Sequence, residues 1–154
     1  MATVEDRLAE LGLKLPDVAK PAGAYVPALA TGHLVFSAGQ LPTVGGSLPA
    51  TGKVGAEVTP EDAKTYAATC VLNALAATKD VIGSLDRILK VVKVVGFVAS
   101  DPAFTGQPGV INGASELLGS IFGDENGAHA RSAVGVAVLP LDSPVEIEFI
   151  FEYA

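Results

Sequence analysis

Tryptophan is absent from this chain, and cysteine and methionine occur once each. A lone cysteine, Cys70, can form neither a disulfide framework nor a thiolate metal cluster. Two histidines, His33 and His129, are too few for a His-rich metal site, so neither metal nor cofactor is expected. Charge is scarce as well. Only 18% of the 154 residues are charged, and the ten basic ones form no dense run against a formal net charge of −7. Neutralising a phosphate backbone takes a basic patch, which makes nucleic acid a poor electrostatic partner. No apolar run approaches the ~20 residues of a membrane span. Residues 1–6 lack the basic and apolar regions of a secretory signal. A cytoplasmic protein with no membrane contact is expected.

What the chain does have is apolar surface: 49% hydrophobic residues and a positive mean hydropathy. A chain this long makes one ordinary domain with a real core. So much apolar surface with so little charge exceeds what one small monomer buries, which favours an oligomer.

Taken in order, residues 3–11 suggest a short amphipathic helix with Thr3 and Asp6 in capping-box positions and Gly12 as the stop. A proline-rich passage follows to Gly23, and residues 1–22 are read as an appendage packed or swapped onto a main domain at 23–154. Two short strands are expected at 24–30 and 33–37, then a glycine-rich excursion whose Val44-Gly45-Gly46-Ser47 fits a hairpin tip better than a phosphate loop. Thr59-Pro60-Glu61-Asp62 is a strong helix start, with an N-cap, a proline at the first position and acids in the first turn. Apolar residues then recur at helical spacing to Ile82, Cys70 among them, which reads as a buried inert thiol. Residues 88–99 form a long strand apolar on both faces, which needs cover on both sides. A second helix spans about 108–122. Two helices cover one sheet face, and a second copy of the sheet is the economical cover for the other.

The last two dozen residues read as a β-hairpin. Residues 130–139 and 145–153 are rich in β-branched and aromatic residues around a segment with two prolines. Pairing them unites Val134, Val136 and Val138 with Val145, Ile147 and Phe149 on a core face. It sets Arg131 beside Glu152, and Glu146 beside Ala137, on the other. Arg131 and Ala137 are then roughly 20 Å apart at the rise of a strand. Two groups so far apart cannot serve one small ligand within a chain, so joint chemistry requires a site between chains. Arg131 either pairs with Glu152 or binds a ligand carboxylate through its planar fork. Chain position does not choose among Glu146, Glu148 and Glu152 as a functional acid.

Ala130-Arg131-Ser132 followed by a small residue and a valine, Leu139-Pro140, then Val145-Glu146-Ile147 resemble the signature of the RidA/YjgF family, reactive-intermediate imine deaminases also labelled L-PSP endoribonucleases. Tyr25 ahead of a hydrophobic strand, and Gly39-Gln40-Leu41-Pro42 after it, resemble the family's opening. The resemblance spans about residues 23–151. It implies an α+β, chorismate-mutase-like mixed sheet with two main helices on one face, assembling as a homotrimeric barrel with ligand clefts between subunits. It implies catalytic roles for Arg131, clamping a substrate carboxylate, and for Glu146, orienting water. Substrate-binding roles follow for Tyr25, Gly39 and Ala133, and for Asn112 on the neighbouring subunit's helix. The expected activity is hydrolysis of small 2-imino or enamine carboxylic acids to 2-oxo acids and ammonia. The alternatives are a non-catalytic carboxylate-binding module of the same fold and an endoribonuclease. Ala133 and Ala38 replace residues that are often cysteine and serine in the deaminases, which bears on substrate range. His129, close to Arg131, reads as a loop residue.

Overall fold

Helix α2 (Pro60–Ile82) begins where the Thr59 hydroxyl accepts the Asp62 amide proton and Pro60 stands in the first turn, and it stops at Gly83, whose φ of 89° L side chains rarely adopt. In this computed structural model, which describes residues 2–154, α2 and α3 (Gln107–Asn126) lie on one face of a five-stranded sheet. The strands are β1 (Ala28–Thr31), β2 (Leu34–Ser37), β3 (Ile88–Ala99), β4 (Ala130–Val136) and β5 (Val145–Tyr153), in the order β1-β2-β5-β3-β4. Helix α1 (Val4–Glu10) has the expected capping box between Thr3 and Asp6, and it buries Val4 and Leu8 in the same core as the sheet.

The expected element order holds, and so does the hairpin tip: Val44 and Ser47 bridge around Gly45 and Gly46, both at positive φ. The C-terminal hairpin does not. β4 runs parallel to β3 on the sheet edge, while β5 lies antiparallel between β2 and β3. Helix α3 makes the crossover that parallel neighbours need. Residues 137–144 then carry the chain past the end of β3, their turn held by the Gly52 amide, which donates to the Asp142 carbonyl, and by the Lys53–Asp142 ion pair.

Side-chain directions change accordingly. Arg131 stands level with Val94 and Phe149, both buried under the helices, so Arg131 and Ala133 face the helix layer. Val134 shares the opposite, open face with Phe97 and Glu146. Glu152 is level with Leu34 and Lys90 and is no neighbour of Arg131. The core face of β5 is as expected: Val145, Ile147, Phe149 and Phe151 are buried, with the last two rings stacked at 5.9 Å. Burying each such phenylalanine contributes about 1.5–3 kcal/mol. In β3 two bulges change the phase, so Val91 joins Val94 and Val98 under the helices, not Val95 and Phe97.

The open face carries a row across the whole sheet, Leu29–Phe36–Ile150–Lys93–Ala130. Leu29 is 60% exposed and Val134 44%, more apolar surface than a solvent face needs. On the covered side the helices cross closely: a Cβ on Gly113 would overlap the Lys64 carbonyl oxygen of α2. Gly113→Ala is therefore expected to lose about 1–3 kcal/mol of stability by overpacking, despite alanine's better helix propensity. Chemical denaturation measures it, and an unchanged midpoint would mean that α2 and α3 stand further apart.

A candidate site in two halves

The residues singled out above fall into two groups. The first lies at the end of the sheet where β2 leaves and β5 begins. Ser37 accepts the Phe149 amide proton at 3.0 Å, and Gln40 exchanges two backbone hydrogen bonds with Ile147. Between them the chain bulges, and Gly39 lies against Glu146. A Cβ at Gly39 would sit 2.7 Å from Glu146 Oε1, so any larger residue there would displace the carboxylate from its present position. The loop is anchored from beneath: Asn73, buried on α2, donates through Nδ2 to the carbonyls of Leu41 and Thr43 at 2.9 and 3.0 Å. Tyr25 precedes β1 in an irregular segment and is half exposed, with its hydroxyl accepting the Ala22 amide proton. Ala38 donates to the Pro27 carbonyl, which brings the Tyr25 segment to the same end of the sheet.

Glu146 is half-buried on the open face. Burial, and secondarily the like charge of Glu148, push its carboxyl above the usual carboxylate range. Glu148 is exposed, so burial separates it from Glu146, and Glu152 lies at the far end of β5, level with Leu34 and Lys90, away from Gly39. A half-desolvated carboxylate of raised basicity is suited to hold a water and accept its proton.

The second group belongs to β4 and α3. Arg131 Nη1 donates to Asn112 Oδ1 at 2.7 Å and to Ser115 Oγ at 3.2 Å. Asn112 thus partners Arg131 within one chain. Among the described residues no carboxylate lies within 4 Å of Arg131, which removes the expected pairing with Glu152. Its charge is held in place by neutral groups and left uncompensated. Ala133 is partly buried and packs against the core two residues on. Ser115 escaped the sequence reading. The available signal was its position three residues after Asn112, on one helix face. His129 is more than loop: its Nε2 lies 2.8 Å from Ser115 Oγ and its Nδ1 2.7 Å from the Gly127 carbonyl.

The halves do not meet within a chain. Arg131 aligns with Val94 and Glu146 with Phe97, on opposite sides of β3 and on opposite faces. Three residues along and two strand spacings across put their Cα atoms roughly 14 Å apart, with side chains diverging. Strand spacing alone predicts separation along one face, and their placement on opposite faces makes it stronger. A groove of about 620 Å³ between α2 and residues 13–18 contains none of these residues. Cys70 is fully buried, and burial pushes its thiol well up, so it is inert. Among the described residues no cluster of potential metal ligands occurs, and no helix is long and apolar enough to cross a membrane.

A mixed α+β sheet with helices on one face and an exposed apolar face opposite defines a chorismate-mutase-like architecture. The family model described as "YjgF/chorismate mutase-like, putative endoribonuclease" matches residues 5–153, and the chain belongs to this YjgF family. The chain is 44% identical over 151 residues to Protein TCP17 of Trypanosoma cruzi, covering 97% of this chain and 93% of that protein. It is also 44% identical to Atu1372 of Agrobacterium tumefaciens, a crystal structure of unknown function, with a TM-score of 0.91 and coverage of 98% and 92%. TdcF of E. coli, solved with bound serine, is 25% identical with a TM-score of 0.59, covering 89% of this chain and 94% of that one.

Proposed function

We propose that the protein is a hydrolytic deaminase of small 2-imino or enamine carboxylic acids, acting at clefts between the subunits of a homotrimer. The carrying observation is Arg131: a partly buried arginine with one nitrogen held by neutral acceptors and, among the described residues, no carboxylate against it. Such a group is built to receive an anion from outside the chain. That TdcF holds serine, a small carboxylate, agrees with this reading.

In the proposed site Arg131 of one subunit takes the substrate carboxylate, with Asn112 beside it. Glu146 of the next subunit, with Gly39 against it and Tyr25 near the rim, holds a water over the imine carbon. Ionised Glu146 accepts a proton as the water oxygen bonds to that carbon, forming a carbinolamine. Glu146 passes that proton to nitrogen and takes the hydroxyl proton as the carbonyl forms, the C–N bond breaks, and ammonia and a 2-oxo acid leave. Imines of this kind hydrolyse unaided, so positioning and proton transfer suffice. The open apolar face and the separation of the two halves favour sheet-to-sheet assembly as the way the cleft is completed.

The test supplies an imine from an amino-acid oxidase or dehydratase and follows 2-oxo acid release while sedimentation reports assembly. Acceleration by a trimer is the expected result; a monomer, or a trimer without acceleration, would overturn the proposal. Saturable carboxylate binding with no acceleration would leave a binding module of the same fold. The ribonuclease reading finds little electrostatic support in a chain of net charge −7.

A further inference from the structure

We infer that Ser115 and His129 are positioning residues, forming a directed hydrogen-bond relay that aims one edge of the Arg131 guanidinium at the ligand carboxylate. The inference rests on the site reading above and adds to it two residues and a binding mode.

The relay's direction follows from donor chemistry. The Gly127 carbonyl can only accept, so His129 Nδ1, 2.7 Å away, carries the proton. With the ring neutral, Nε2 presents a lone pair 2.8 Å from Ser115 Oγ, and the Ser115 hydroxyl donates to it. That leaves the oxygen's lone pairs for the Arg131 N–H. Each proton has one place to go. A helical serine often turns its hydroxyl back to the carbonyl four residues earlier, as Ser120 does to Glu116. Ser115 has no such bond, and its hydroxyl is spent on the relay. The far end is anchored too: Gly127 closes the last turn of α3 by donating to the Gly123 carbonyl.

The consequence for Arg131 is geometric. Nη1 is engaged by two acceptors, Asn112 Oδ1 and Ser115 Oγ. The end-on pair, Nη1 with Nη2, is therefore unavailable for a bidentate contact. What remains is the side-on pair, Nε–H with one Nη2–H, which fits the two oxygens of a carboxylate. Removing Ser115 or His129 frees Nη1 and lets the fork rotate, which weakens binding without touching the reacting carbon.

The experiment titrates 2-oxobutyrate, a stable 2-oxo acid, by calorimetry into the assembled protein and measures KM and kcat for imine hydrolysis in the same variants. Ser115→Ala and His129→Leu are each expected to raise Kd and KM about tenfold with kcat changed less than twofold. His129→Gln, which restores an acceptor near the Nε2 position, should recover most of the loss. In the Ser115→Ala background His129→Leu should add little, and in Arg131→Ala neither change should matter, because all act through one fork. Additive losses, a fall in kcat at constant KM, or unchanged binding in the single variants would overturn the relay. If 2-oxobutyrate binds but no turnover is found, the relay stands or falls on Kd alone and only the catalytic reading fails. If wild-type protein binds no 2-oxobutyrate, relay and carboxylate site fall together.

Discussion

Arg131→Ala is expected to lower kcat/KM for a 2-imino acid by about 10²- to 10³-fold. Two charge-assisted hydrogen bonds to a carboxylate contribute about 3–5 kcal/mol between them, and tenfold corresponds to about 1.4 kcal/mol. Arg131 stands near the start of the edge strand β4, with no salt bridge among the described residues, so the fold should tolerate the change. Arg131→Lys should recover only a small part, since an ammonium offers a point charge and no planar fork. Steady-state kinetics with a thermal midpoint as control checks both. A variant within a few-fold of wild type, folded and trimeric, would remove Arg131 from the mechanism.

Glu146→Gln is expected to lower kcat by about 10²- to 10⁴-fold, the range for losing a positioned base, while Kd for 2-oxobutyrate changes little. Glutamine keeps the shape beside Gly39 and cannot take the water's proton. The working form is the carboxylate, so activity is present above its pKa and lost as pH falls through it. Part of the upward shift comes from Glu148, after burial. Glu148→Gln removes that repulsion, lowers the Glu146 pKa, and should move the acid limb of the kcat profile to lower pH. Movement to higher pH, or a limb that persists unmoved in Glu146→Gln, would assign the titration to another group.

The C-terminal strands depart from the expected hairpin for a physical reason. Val134 and Val138 are large and apolar, and an isolated pattern places large apolar residues inwards. In the single chain they are 44% and 69% exposed, whereas Arg131 and Ala133 face the helices. A strand whose bulky side faces an uncovered surface inverts the ordinary rule. Arg131 stands as a candidate on its planar fork alone, whereas Tyr25, Gly39, Asn112 and Ala133, and the choice of Glu146 among three glutamates, come from the resemblance to the family motif. Glu146 was then separated from Glu148 by burial, which no periodicity carries. Ser115 and His129 were not legible as a pair, because hydroxyl and imidazole meet only once α3 packs beside β4.

What the amino-acid order determined by itself was local: the capping of α1 and α2, the stops at glycine, the apolar stripe of α2, the β5 core face and the length of β3. These depend on neighbours within a few residues, whose interactions the chain writes directly. Only the tertiary structure decided that β4 pairs with β3, that β5 threads between β2 and β3, and that Arg131 and Glu146 look out from opposite faces. Pairing partners far apart in the chain are chosen by which apolar faces close over one another, and the helix between β3 and β4 made the parallel neighbour the accessible one.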